Sequence, residues 1–502
     1  MARDGASTGP VRRFTEATLS TSSEPLVDEQ TWNDLDMDAV YARIDRTAST
    51  PGRMVLYRML RSPGQSRQHL TERATLIRAL APQGEAGLTL RTEVARLEHT
   101  AGAEDLMALL WEDPPEELKH PWVHQILALA AVGSVPLALA VGGPVAFAPV
   151  LAFALNAIIH FRTRLQWLRE IQALRFVGAL RDCARRVASI SEPALEGHRR
   201  RLRTALGDTA SIARRVALLS SGTVKGVMYD YINIFLLLEL RSYQWLARRW
   251  PKASPALREV FLTVGELDAL ASVGRWRADV PIWCQPDLEA ERPHLEIDEG
   301  VHPLLDNPAP ASLSLTARGC LITGVNMSGK STLLRTLGIN ALLAQTIFTC
   351  LARRYQATPL RILSSMRVGD DILEGRSRYL AEAERLLALV WQADRGEATL
   401  CLIDELLSGT NASERLAVSR AILDYLADRG LLVVAATHDL ELTGALRERY
   451  DTYYFGDELT GDDMRFDYRL RPGVATTRNA VRLLERLGYP AAIVARAREP
   501  RR

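Results

Sequence analysis

Gly324-Val325-Asn326-Met327-Ser328-Gly329-Lys330-Ser331 decides how the rest of this 502-residue chain is read. It fits the pattern G-x-x-x-x-G-K-[ST] at every position. Its surroundings fit too: Leu321-Ile322-Thr323 reads as a strand before it, and residues 332–343 as a helix after it. Glycines let successive backbone N–H groups turn into one concavity that suits phosphate oxygens. The following helix adds its positive N-terminal end. In this pattern Lys330 reaches β- and γ-phosphates, Ser331 offers a hydroxyl to Mg2+, and Gly324 to Thr332 form the nucleotide-holding set. A bare match in a loop is the competing reading, and the flanking strand and helix argue against it.

Downstream, two apolar runs end at polar, chemically loaded residues. Thr399-Leu400-Cys401-Leu402-Ile403 delivers Asp404 and Glu405, about 75 residues after the glycine-rich loop. Asp404 is placed to hold Mg2+ and Glu405 to polarise an attacking water. The solvated end of an ordinary strand is the bland alternative. Residues 431–436 end in Thr437-His438-Asp439. His438 could sense a terminal phosphate or orient water, although a lone histidine is often structural. Short strands alternating with helices from about Trp283 onward imply an α/β phosphate-loop fold with its site at the strand ends.

Upstream the chain is helical. Residues 1–30 are polar and aperiodic and read as a disordered leader. They have no apolar core behind Arg12-Arg13, so no signal peptide is expected. Residues 31–119 and 162–282 space their apolar positions at three and four, as the two parts of a helical core. Between them, from His120 to Phe161, there is no Asp, Glu, Lys or Arg. Apolar runs 123–141 and 145–161 flank Gly142-Gly143-Pro144, a turn signal. Each run is close to the length that spans a ~30 Å hydrocarbon core. The expectation for residues 120–161 is a transmembrane hairpin, with Lys119, Arg162 and Arg164 placing both ends on the cytoplasmic side. A hairpin buried in a large helical core is the alternative. Arg199, Arg200, Arg201 and Arg203, with Arg185, Arg186, Arg214 and Arg215 nearby, form the densest basic cluster. It reads either as a solvated helix face or as a contact for DNA or lipid phosphates.

Composition narrows the remaining classes. Net charge is +2, from 62 basic and 60 acidic residues, so nucleic acid finds no support in overall charge. The five cysteines are scattered with no Cys-x-x-Cys pair. This argues against a zinc site or disulfide framework and suits a reducing compartment.

The glycine-rich loop with the following threonine, GVNMSGKST, resembles the GPNMGGKST loop of the MutS family of DNA mismatch-repair ATPases. Leu402-Ile403-Asp404-Glu405 and the following Ser408-Gly409-Thr410-Asn411 are similar to that family's Walker B strand and the segment after it. Ala436-Thr437-His438 and His302-Pro303-Leu304-Leu305 also resemble family elements. The loop Asp370-Asp371-Ile372-Leu373-Glu374-Gly375-Arg376-Ser377 is similar to one that contributes a serine to the partner subunit's nucleotide. The resemblance covers residues 283–502 well and the helical parts loosely. It implies an ABC-like ATPase domain, ATP and Mg2+, a homodimer with Ser377 acting in trans, and DNA as a partner. Mismatch-reading members present a Phe-x-Glu motif from an N-terminal domain. Phe14-Thr15-Glu16 has those letters but lies in a leader too short to form that domain, and reads as coincidence. The lever helices look shortened, and no adenine-stacking aromatic is evident between Leu305 and Leu315. A smaller group of MutS-like ATPases carries a membrane hairpin, and this chain looks like one of them.

Three functions are therefore carried forward. One is a MutS-like ATPase of the cytoplasmic membrane, dimeric, coupled to DNA and without a mismatch-reading domain. The second is an ABC-like membrane ATPase acting on a lipid, solute or protein. The third is a nucleotide-gated adaptor that does not hydrolyse, which intact Lys330, Ser331, Asp404 and Glu405 argue against.

Overall fold

The structure, a computed structural model, describes residues 8–19, 26–116, 121–166, 168–212, 227–289, 292–315, 318–324, 328–366, 378–407, 411–460, 463–474 and 488–498. Val325, Asn326, Met327, Arg214, Arg215, residues 408–410 and the loop ending in Ser377 lie outside them. Two compact units interleave along the chain. One takes Met1–Glu24, Ile44–Met59 and Thr71–Asp279, and the other takes Pro25–Arg43, Leu60–Leu70 and Val280–Arg502.

The first unit is helical. Its longest element, Leu238–Asp279, runs for 42 residues with Pro251 and Pro255 inside it. Leu257, Val260, Phe261, Val264, Leu267 and Leu270, spaced at three and four, form its buried stripe. Asp268 on this helix is fully buried and accepts from Ser49 Oγ at 2.7 Å and Ala48 N at 3.0 Å. A Cβ on Gly52 would overlap that carboxylate, so only glycine fits there.

The leader is not disordered throughout. Residues Gly9–Leu19 form a helix with Phe14 fully buried, its ring 5.3 Å from that of Trp111 and 5.8 Å from that of Phe261. Polar composition hid a short helix whose few apolar residues share one face. This burial also removes Phe14 from any stacking on a base.

Helices Pro121–Val141 and Ala148–Gln166 form the hairpin, joined by a 3-10 turn Gly143–Phe147. Gly142 and Gly143 sit at φ 66° and 58°, where glycine avoids the Cβ penalty. The hairpin is not buried in the helical core. Leu129, Leu139, Phe147 and Leu151 are 71%, 83%, 73% and 73% exposed, whereas Ser134, Asn156 and His160 are buried. Asn156 Nδ2 donates to Phe235 O at 2.8 Å, within the helix Val227–Leu236. The basic cluster on Glu196–Asp208 is engaged by acids: Arg199 with Glu196 at 2.6 Å, Arg201 with Glu266 at 3.2 Å and Arg203 with Glu196 at 3.8 Å.

The second unit is mixed α/β. Strands are β1 (Leu295–Gly300), β2 (Ala311–Leu315), β3 (Gly319–Thr323), β4 (Arg354–Ala357), β5 (Arg361–Ser365), β6 (Thr399–Asp404), β7 (Leu432–Ala436), β8 (Tyr450–Thr460) and β9 (Asp463–Pro472). A small antiparallel sheet has the order β2-β1-β4, and the main sheet β5-β6-β7-β3-β8-β9. The main sheet is parallel from β5 to β8, with β9 antiparallel at its edge. Strands β3, β6 and β7 are almost wholly buried, as two-sided parallel strands require.

Residues 31–43, expected in the helical core, belong instead with this α/β unit. Trp32 and Leu35 are fully buried there, and Trp32 Nε1 donates to Asp38 at 2.8 Å. Asp34 accepts from Ser364 Oγ at 2.6 Å and from Met366 N at 3.0 Å, just past the end of β5. Arg385 joins the same cluster, pairing with Asp28 at 3.0 Å and donating to Ser364 O at 2.6 Å.

Candidate nucleotide site

Register sets the site. Ile322 of β3 and Asp404 of β6 both pair with Ala436 of β7, so all three strands end at one edge. Thr437 N donates to Ile322 O and Glu405 N to Ala436 O, both at 3.0 Å, extending the alignment one residue further. Gly324, Asp404, Glu405 and His438 are thereby brought to a common edge, although the first two are 80 positions apart in sequence. After β3 the chain enters the helix Lys330–Thr346 through Gly329, whose φ of 106° needs no side chain.

The loop's side chains meet the carboxylates as the motif requires. Ser331 Oγ donates to Asp404 Oδ2 in a short contact. Lys330 Nζ donates to Gly324 O at 2.8 Å. Burial pulls the Lys330 pKa down, and the nearby Asp404 and Glu405 carboxylates oppose that shift. Burial pushes the Asp404 pKa up, against the Ser331 hydrogen bond. His438 Nδ1 lies 3.2 Å from Glu405 Oε1, and both side chains are partly exposed. Glu405 and Leu407 take φ of 59° and 52°. Non-glycine residues held there cost about 1–3 kcal/mol and concentrate at functional sites.

A cavity of about 700 Å3 opens over this edge. Gly329, Lys330, Ser331, Thr332, Asp404 and Glu405 line it, together with His302, Ser365, Met366, Glu382, Phe455 and Tyr468. Its size falls within the ~300–1,000 Å3 usual for small-molecule sites. The Ser331 hydroxyl beside the Asp404 carboxylate is an all-oxygen pair suited to a hard cation. Mg2+ commonly takes only one or two protein oxygens and completes its shell with water and phosphate. Burial and the Arg335 charge hold His302 down at about 4, so its ring is neutral in the cavity wall.

Several lining residues were invisible to sequence reasoning. Tyr468 and Phe455 come from the antiparallel pair β8 and β9, far in sequence from residues 305–315. A Tyr468 ring carbon lies 3.3 Å from where a Cβ on Gly329 would be. Glu382, buried on the helix Arg378–Ala393, had no motif to mark it.

A strand, a glycine-rich turn and a helix facing carboxylates on a nearby parallel strand define a phosphate-loop α/β domain. The family model for MutS domain V matches residues 320–502. DNA mismatch repair protein MutS of Natronomonas pharaonis is 32% identical over 273 residues, covering 52% of this chain and 31% of that protein. Proteins of the same name from an Anaeromyxobacter species and from Thermus thermophilus are 30% and 31% identical over 286 and 261 residues. They are covered over 32% and 31% of their lengths, by 53% and 50% of this chain. Residues 320–502 are thus similar to MutS domain V, and the chain spans about a third of the length of these relatives.

Proposed function

We propose that this protein is a Mg2+-dependent ATPase that works as a homodimer, is tethered to the cytoplasmic membrane by residues 120–161, and couples nucleotide turnover to DNA. The observation that carries the ATPase reading is the meeting of Lys330 and Ser331 with Asp404 and Glu405 in one cavity. Lys330 exchanges Gly324 O for β- and γ-phosphate oxygens. Ser331 and Asp404 hold Mg2+, which supplies charge neutralisation on the phosphates. Glu405 accepts the proton of the attacking water at its carboxylate, and His438 Nδ1 steadies that carboxylate. Residues 324–332 cradle the phosphates, with Val325, Asn326 and Met327 included on the motif alone. Ser377 of each subunit completes the other's site by family resemblance. Tyr468, an aromatic side chain lining the same cavity, is the candidate to stack on the base.

DNA coupling rests on the resemblance to MutS proteins, and buried Phe14 argues against mismatch reading by Phe-x-Glu. The membrane tether rests on the inverted hairpin: apolar side chains outward and Ser134, Asn156 and His160 inward. Its two candidate spans are each 20 residues with mean hydropathy 1.8. At 1.5 Å per residue such a helix is ~30 Å long. The same observation favours a second reading, an ABC-like membrane ATPase acting on a lipid, solute or protein.

The test is the ATPase rate of detergent-purified protein with homoduplex, mismatched and branched DNA, beside Glu405→Ala. Stimulation by DNA that vanishes in the variant supports DNA coupling. Activity indifferent to every DNA but raised by lipid moves the function to the second reading. Nucleotide binding without turnover in the wild type overturns both.

A further inference from the structure

We infer that Arg241, Arg248, Arg249 and Lys252, with Trp245 among them, form a site for anionic lipid headgroups at the cytoplasmic end of the hairpin. This rests on the membrane tether proposed above. All five residues belong to the helix Leu238–Asp279. At 3.6 residues per turn they fall within one arc of about 100°. The four cations are exposed, whereas Tyr243, Leu246, Ala247 and Trp250 on the other side are buried. No Asp or Glu occurs from Arg241 to Lys252. Among the described residues neither Arg241 nor Lys252 has an acidic partner, unlike Arg199, Arg201 and Arg203, which acids engage. The Arg249 guanidinium lies 4.2 Å from the centre of the Trp245 ring.

The position of this stripe along the helix says which phosphates it meets. Phe235, just before the helix begins, accepts from Asn156 Nδ2 inside the second span. Gln244 Nε2 lies 2.9 Å from Nδ1 of His124, near the start of the first span. Trp250 Nε1 donates to Leu109 O at 3.1 Å, well before that span begins. The helix therefore leaves the level of the spans near Gln244. At 1.5 Å per residue, Arg248 and Arg249 are ~6 and ~7.5 Å further along it, and Lys252 ~12 Å. The headgroup layer on each side of the hydrocarbon is ~5–8 Å deep. Arg248 and Arg249 thus fall at headgroup depth, with Lys252 just beyond, and Arg241 reaches that depth along its own stem. Trp122, exposed at the start of the first span, and Trp245 put aromatic rings near the same level, as interfacial tryptophans do. Exposed Glu112, Asp113 and Glu116, on the chain entering the first span, offset part of this charge at long range. Contact with headgroup phosphates is short-range and falls to the stripe. Duplex DNA is the other polyanion, and it would have to approach a face held at the bilayer surface.

The experiment mixes full-length, detergent-solubilised protein with equimolar phosphatidylglycerol and phosphatidylcholine, recovers the protein and measures both lipids retained. Each cation near an anionic surface is worth about fivefold in affinity. Wild type should retain phosphatidylglycerol in at least about tenfold excess, and the excess should shrink as salt rises. An Arg248→Gln, Arg249→Gln, Lys252→Gln triple variant should keep an excess below about threefold. An Arg248→Lys, Arg249→Lys variant should behave as wild type, because the charge remains. If the triple variant unfolds at a lower temperature than wild type, Arg241→Gln, Lys252→Gln carries the same comparison. An excess unchanged by loss of the charges overturns the inference. So does a loss of duplex DNA binding with the lipid excess intact, which would make the stripe a DNA surface. Wild type that retains neither lipid and is monodisperse without detergent sinks the tether itself, and this inference falls with it.

Discussion

Lys330 and Ser331 are held by oxygen atoms of their own chain, and each of those contacts must be exchanged when a triphosphate arrives. Burial lowers the Lys330 pKa while the Asp404 and Glu405 carboxylates oppose that shift, and the anionic oxygens of a bound phosphate would favour the charged form further. The base end is a separate matter. Tyr468→Ala should raise KM for ATP several-fold and leave kcat within about twofold, since stacking is worth about 1–3 kcal/mol and binds ground and transition states alike. A steady-state titration checks this, and a loss confined to kcat would contradict it. His302 gives a pH signature. Its pKa falls from 6.5 to about 4 in the fold, so the unfolded chain binds the extra proton first. Stability from this residue is fully present above about pH 6.5 and is lost as pH falls toward 4. Thermal unfolding of wild type and His302→Gln across that window should show the wild-type advantage shrinking on acidification. Parallel curves would show that His302 contributes nothing there.

Residues 26–43 act as one element with the end of β5. Asp34 is buried and satisfies Ser364 Oγ and Met366 N, and Met366 and Ser365 line the nucleotide cavity. Asp34→Ala leaves the buried Ser364 hydroxyl and the partly buried Met366 N–H without this acceptor. It should cost about 2–3 kcal/mol in chemical unfolding, with a rise in KM for ATP because the cavity wall loses its support. A change below about 0.5 kcal/mol, the usual limit for surface substitutions, would show that the network is dispensable. The hairpin is the other element with a distinct expectation. Leu129 and Val132 project outward near the middle of the span Trp122–Val141, where a lysine costs about 2.5–3.5 kcal/mol. The wild type should stay with membranes after alkaline carbonate extraction, and a Leu129→Lys, Val132→Lys double variant should shift to the soluble fraction. Wild type that is monodisperse without detergent would sink the membrane reading. The elements differ in how legible they were. Strands β3, β6 and β7 showed themselves as apolar runs ending in chemistry. The helix Gly9–Leu19 and the docking of residues 26–43 did not. Their partners are Trp111 and Phe261 in one case and Ser364 and Arg385 in the other, too far along the chain for any local pattern to register.

At the scale of the whole molecule, the proposed site is shared between two copies. Lys330→Ala and Ser377→Ala proteins should each be nearly inactive alone. Mixed and allowed to exchange, they should recover roughly a quarter of wild-type ATPase, because half the dimers then hold one intact composite site. Recovery of nothing in a confirmed mixed dimer would place Ser377 outside the site. Residues Pro25–Arg43 and Leu60–Leu70 lie in the α/β unit while Ile44–Met59 between them lie in the helical one. The polypeptide therefore joins the two units repeatedly rather than through one linker.

By itself the amino-acid order determined the phosphate-loop class, the pair Asp404 and Glu405, and the charge-free hairpin. Each of these is a short-range property: a backbone turn that needs glycines, a strand that needs an unbroken apolar run, a helix that excludes charge. The tertiary structure alone decided that Tyr468 and Glu382 enter the cavity, that Asp34 braces it and that Phe14 is buried. Those outcomes depend on which distant segments share a neighbourhood. Strand order and register set that, and no spacing within the chain records it.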